Sequence, residues 1–151
     1  ATLSDYLSQK LWQPLGMDAD GLWHLDNSGM ELAFCCINTS ARNFARFGQL
    51  MLQDGAWEGQ QLVPAGFVEA MRSVRGAPDY GLSTWLNTEN EPTFYSLRGH
   101  LGQYVLVVPE YDLVIVRLGE SRGVERETME VLPFYIEQVL PLLPQVARFK
   151  Q

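Results

Sequence analysis

The sequence predicts an α+β fold, an antiparallel sheet meander flanked by helices. Two observations carry this. Residues 80–118 hold four short β patterns linked by short turns, and consecutive strands joined so closely pair antiparallel. On either side, residues 41–52 and 126–143 place apolar side chains at helical spacing. Nothing repeats and no linker divides residues 1–151, so helices around one sheet are the expected layout.

Each element has its own local cause. Thr2 with Asp5 three residues on reads as a capping box opening a helix, with Leu3, Tyr6, Leu7 and Leu11 on one face; Pro14 and Gly16 end it. Residues 18–31 show no period and read as an ordered loop. Trp23 in that loop either lines a pocket or pins the loop to the core. Asn38, Thr39 and Ser40 offer N-caps for a helix whose stripe is Ala41, Phe44, Ala45, Gly48, Met51 and Leu52. Gly48 costs that helix about 1 kcal/mol against alanine, which predicts close packing on another element. Asp54-Gly55 ends it, residues 55–59 form a tight turn, and Pro64 starts a short helix through Phe67, Val68 and Met71. Residues 80–86 alternate like a strand, and residues 93–96 give the next. Residues 104–108 and 113–118 then form a hairpin about the turn at Pro109. Pro133 predicts a kink or boundary in the last helix, residues 126–143.

Composition bounds the function. A chain of 151 residues that is 46% apolar can build a core, or part of a larger one. A formal charge of −7 and a pI near 4.7 argue against nucleic acid and anionic membrane as partners. No apolar run is long enough to span a membrane, and residues 1–4 show no signal pattern. The chain opens without Met on a capping pattern, which predicts further sequence upstream. Cys35 and Cys36 are adjacent in an apolar run; neighbouring cysteines rarely bridge, so they read as buried small hydrophobes. His24 and His100 add no zinc-ligand spacing, so no metal and no cofactor is expected.

Catalytic motifs are incomplete. There is no G-x-S-x-G elbow, no S-x-x-K and no phosphate-cradling glycine loop. The chemistry-bearing stretch is Arg98-Gly99-His100-Leu101-Gly102-Gln103, where two glycines flank a histidine at a strand entrance and suggest close approach of backbone or ligand. On its own, His100 reads most simply as a wall residue.

Several segments, in order, resemble the β-lactamase-related serine hydrolases, the penicillin-recognising group that includes esterases and 6-aminohexanoate-dimer hydrolases. They are residues 6–17 with Pro14-Leu15-Gly16-Met17, residues 33–50, residues 55–64, and Arg98-Gly99-His100-Leu101-Gly102-Gln103 with residues 114–119. The resemblance implies the C-terminal part of a β-lactamase/transpeptidase-like fold and a bacterial source, the cell envelope slightly favoured over the cytoplasm. It places the nucleophile of S-x-x-K and the tyrosine of Y-x-N upstream; neither motif occurs in these residues. His100-Leu101-Gly102 matches the family's H-x-G motif on the strand edging the active site. His100 is then expected to stabilise developing charge, and the Gln103 N–H to act as second oxyanion donor. Gly99, Leu101 and Gly102 are expected beside the substrate, and Trp23 and Trp85 are pocket candidates. Asn43 departs from an acidic family position and is expected to affect helix capping or surface pairing.

Three functions follow for testing. The first is an ester or amide hydrolase acting through an acyl-serine on a small-molecule or peptide substrate, this chain alone being inactive. The second is a non-catalytic relative binding a ligand in the same cleft, and the third a self-standing structural module. The resemblance disfavours the third, since such a fragment needs the upstream part of its domain to cover its apolar faces.

Overall fold

Two units make up the chain, Ala1–Ser121 and Arg122–Gln151, and the computed structural model describes residues 1–89, 91–120 and 131–143. The capping box forms: Asp5 N–H donates to Thr2 Oγ1, and Thr2 N–H donates to the Asp5 carboxylate. Helix α1 (Leu3–Leu7) passes into a π-helical turn, Ser8–Trp12. Its apolar face is open, with Tyr6 64% exposed.

Residues 18–38 differ from expectation. They contain two-residue strands β1 (Leu22–Trp23) and β2 (Ile37–Asn38), paired antiparallel. The apolar run between them is a surface turn, with Phe34 85% exposed. Cys35 and Cys36 are bonded to each other, against the reading of unbridged core thiols. The reason is local: Cys36 has φ 78°, which turns the chain sharply where a strand would have held the two side chains apart.

Helix α2 (Ala41–Leu52) is capped by Ser40, whose hydroxyl accepts from the Asn43 N–H. Gly55, at φ 81°, closes its C-terminus with an N–H donated to the Leu50 carbonyl at 2.8 Å. The following turn is a miniature hairpin, β3 (Ala56–Trp57) and β4 (Gln60–Gln61), about Glu58 and Gly59, both left-handed as a two-residue turn requires. Pro64 caps α3 (Ala65–Met71).

The meander forms in the expected order: β5 (Trp85–Asn87), β6 (Phe94–Gly99), β7 (Gln103–Val108) and β8 (Leu113–Arg117), each antiparallel to the next. β5 is shorter than residues 80–86 suggested. Gly81 donates to the Thr84 carbonyl and Ser83 sits at φ 54°, so that stretch turns instead of extending. A Cβ on Gly81 would stand 1.9 Å from the Met71 carbonyl oxygen, so only glycine fits there. Met51 of α2, Val68 and Met71 of α3, and Leu86, Tyr95, Val105 and Val107 of the sheet form one buried cluster. Burying such side chains contributes about 1.5–3 kcal/mol each.

Asn43 is also corrected. It is buried at 1% exposure, not on the surface. Its Oδ1 accepts from the Asp18 N–H and Arg46, and its Nδ2 donates to the Ala19 carbonyl and Thr39 Oγ1. It ties the 18–19 loop to the start of α2.

In the second unit, α4 (Val131–Val139) runs into a 3₁₀ turn, Leu140–Leu142. Pro133 lies near the start of the described helix, while residues 126–130 of the expected helix lie outside the described residues. Among the described residues, no helix is long and apolar enough to cross a membrane.

Candidate active site

Unequal strand lengths create the site. β5 pairs with β6 through Trp85↔Ser96, Leu86↔Tyr95 and Asn87↔Phe94, and there it stops. β6 runs three residues further, and residues 97–99 pair only with β7, through Leu97↔Val105, Arg98↔Tyr104 and Gly99↔Gln103. On the β5 side, no described strand covers residues 97–99. Main-chain groups of a strand that face such a gap can bond an added extended chain.

The uncovered edge leads into a three-residue loop, residues 100–102. His100 is exposed, and among the described residues no side chain hydrogen-bonds to its imidazole. Leu101 and Gly102 are left-handed, at φ 60° and 90°. Leu101 is 42% exposed, whereas Gly102 is buried. At Gly99 an added Cβ would stand 2.9 Å from Gln103 Cβ, so glycine is needed for the hairpin to close.

Two side chains tie this loop to the end of β8, Arg117 from β8 itself and Gln103 from β7. Arg117 Nη1 donates to the Gly102 carbonyl. Gln103 Nε2 donates to the Gly119 carbonyl, and the Gly119 N–H donates back to Gln103 Oε1 at 3.0 Å. A trans peptide directs its C=O and N–H to opposite sides. With the Gly102 carbonyl held by Arg117, the Gln103 N–H of the same planar unit is directed away from that contact.

Trp85 joins the site through Arg98. Its ring centroid lies 4.9 Å from the Arg98 guanidinium carbon and 4.9 Å from the Tyr80 ring, edge to face. Arg98 Nε also donates to Ser96 Oγ at 3.0 Å. Burial pulls the Arg98 pKa down, while Tyr104 and Asp79 act in the opposite sense. A desolvated guanidinium over an indole is a favourable contact that holds the ring in one pose.

Trp23 is separate. It lies in β1, and its Nε1 donates to both the Leu32 and Cys35 carbonyls at 3.0 Å, which makes it the pin of the turn holding the disulfide. A shallow cleft lined by Ser8, Trp12, Asp18 and Asp20 contains none of the hairpin residues. Among the described residues, no cluster of His, Cys, Asp and Glu could hold a metal ion. Arg98 and Arg117 were not foreseen as site residues, since only their positions at strand ends hinted at them.

Known proteins bear on this geometry. No family model matches the chain. It is 32% identical, over 125 residues, to the 6-aminohexanoate-dimer hydrolase of Paenarthrobacter ureafaciens, a match covering 74% of this chain and 32% of that protein. Its fold matches a Bacillus anthracis protein assigned as a 6-aminohexanoate-dimer hydrolase, with a TM-score of 0.78 and 26% identity over 96% of this chain and 40% of the other. A Bacteroides dorei protein assigned as a β-lactamase shares the fold at 15% identity, with a TM-score of 0.64 over 89% of this chain and 50% of its own. The chain thus spans about a third of the curated relative it matches. Likeness in sequence to one 6-aminohexanoate-dimer hydrolase, and in meander and helices to the others, supports the β-lactamase-related hydrolase family.

Proposed function

We propose that this chain forms the oxyanion-side wall of a serine hydrolase that cleaves an ester or amide through an acyl-serine intermediate. The nucleophile stands elsewhere in the parent protein, since residues 1–151 contain no S-x-x-K. The reading is carried by the edge at residues 97–99, which no described strand pairs on the β5 side and which runs directly into the His100 loop. A substrate laid along that edge takes main-chain hydrogen bonds as an added strand does. Gly99 and Gly102 keep side-chain bulk out of its path.

His100 hydrogen-bonds the substrate or stabilises the charge developing on its carbonyl oxygen. The Gln103 N–H is the second oxyanion donor, a contact typically worth roughly 3 kcal/mol. Leu101 offers an apolar surface at the loop tip, and Trp85, held by Arg98, forms the side wall. Trp23 can contribute only its ring, its N–H being engaged by the turn. Leu22, Leu25, Met30 and Phe34 are more than half exposed, in keeping with a chain that the rest of its protein covers. β-Lactams, peptides, short-chain esters and short amides are the substrate classes.

The test is covalent labelling of the full-length protein with a fluorophosphonate. The expected result is modification of one serine that lies outside these residues. Retained ligand binding without labelling would instead identify a non-catalytic relative.

A further inference from the structure

The His100 loop is built in a way that needs support. It has two consecutive left-handed residues, one of them Leu101, and its histidine projects into solvent. What fixes it comes from fifteen and sixteen residues away, at the end of β8: Arg117 on the Gly102 carbonyl, and the backbone of Gly119 on the Gln103 carboxamide. The Gln103–Gly119 pair donates and accepts as two strand residues would. It extends the β7–β8 ladder past its last register pair, Tyr104↔Arg117, with a side chain acting as backbone. Both attachments lie on the β8 side, away from the β6 edge that no described strand pairs.

We propose that Arg117 and the Gln103 side chain are positioning residues of the active site, a two-point clamp that sets the pose of His100 and of the Gly102–Gln103 peptide. This rests on the hydrolase reading above. A bond that fixes the Gly102 carbonyl also fixes the direction of the Gln103 N–H in the same planar unit. The cation on that carbonyl polarises the unit and strengthens its N–H as a donor. Lysine would keep the charge but not the planar fork, so Arg117→Lys restores only part of the effect. Gln103→Glu removes the donor to Gly119 and sets a carboxylate against its carbonyl oxygen.

The experiment uses the full-length protein and its Arg117→Met, Arg117→Lys and Gln103→Glu variants. It measures kcat and KM on a chromogenic short-chain ester, fluorophosphonate inactivation rate, melting temperature, and amide hydrogen exchange at residues 100–103. Arg117→Met and Gln103→Glu are expected to lower kcat and inactivation rate about tenfold, KM changing less than about twofold, because the loop is misplaced while the binding edge stays intact. Exchange in the loop rises in both, and Arg117→Lys falls between Met and wild type. Unchanged exchange at residues 100–103 overturns the clamp whatever the chemistry. A kcat near wild type, or one that falls only with the folded fraction, overturns its role in the reaction. A wild-type protein that fluorophosphonate never labels overturns the hydrolase reading instead, and exchange still decides the clamp.

Discussion

Gly48 of α2 lies so close to Val114 of β8 that an added Cβ would stand 2.6 Å from Val114 Cγ1, and 2.9 Å from Val105 Cγ1 of the neighbouring strand. The helix therefore meets the sheet through a backbone-to-side-chain contact. Gly48→Ala improves helix propensity by about 1 kcal/mol but overpacks this seam, which typically costs 1–3 kcal/mol. A net loss of stability in urea titration is expected, with recovery in Gly48→Ala/Val114→Ala. A stabilised single mutant would show that the seam is loose.

Asn43 serves four partners from a buried position. Asn43→Ala leaves the Asp18 N–H without its acceptor and removes one of the two donors to the Ala19 carbonyl, the Trp12 Nε1 remaining. The expected cost is about 2–4 kcal/mol, read as a shift in denaturation midpoint with an unchanged slope.

Tyr95 is buried in the core cluster, and its hydroxyl has no hydrogen-bond partner among the described residues. Burial pushes its pKa up to about 12, with Arg72 pulling weakly the other way. The unfolded chain ionises near pH 10, so this group's contribution is whole below that value and is lost as pH rises toward 12. The loss amounts to roughly 2 kcal/mol. Tyr95→Phe should flatten the alkaline limb of the stability curve and cost little at neutral pH. An unchanged alkaline limb would place the sensitivity elsewhere.

Glu31 anchors α1, accepting from the Ser4 N–H at 2.9 Å. That hydrogen bond, foremost among its causes, brings the carboxyl pKa down to about 2. The anchor is complete above the usual glutamate range near pH 4.5 and is lost as pH falls toward 2. Glu31→Gln should raise amide exchange in α1 at neutral pH to the level that wild type reaches only in acid.

His100 is exposed, so its replacement should leave folding intact. In the full-length protein, His100→Ala is expected to lower kcat on an ester substrate by about 10²-fold, with the melting temperature unchanged. Full activity in this variant would remove the histidine from the reaction.

Local chemistry made much of the fold legible. β-Branched runs between turn residues announced the meander, Thr2 with Asp5 announced the capping box, and Gly48 announced a tight seam. Failures arose where a distant group or an unforeseen backbone turn decided the outcome. Residues 80–86 alternate like a strand, but Gly81 must fit against the Met71 carbonyl, and alternation carries no trace of that contact. Cys35 and Cys36 looked like core because their neighbours are apolar; the turn that bonds them shows only in the backbone at residue 36. The histidine loop could be found from its two glycines. Its support could not, since Arg117 and Gly119 reach it across a hairpin, and the edge beside it exists only because β5 ends early.

That early end also acts as a ruler. The three residues of β6 that no described strand pairs on the β5 side measure about 10 Å along the strand. On the proposed reading, an extended ligand would meet the main-chain groups of only one or two of these residues, since alternate strand residues face opposite edges, before it reached the loop or ran into Trp85. On that same reading, recognition by the backbone would be limited by length, and discrimination among longer substrates would fall to the side chains at the two ends of that interval, Trp85 with Arg98 at one and His100 with Leu101 at the other.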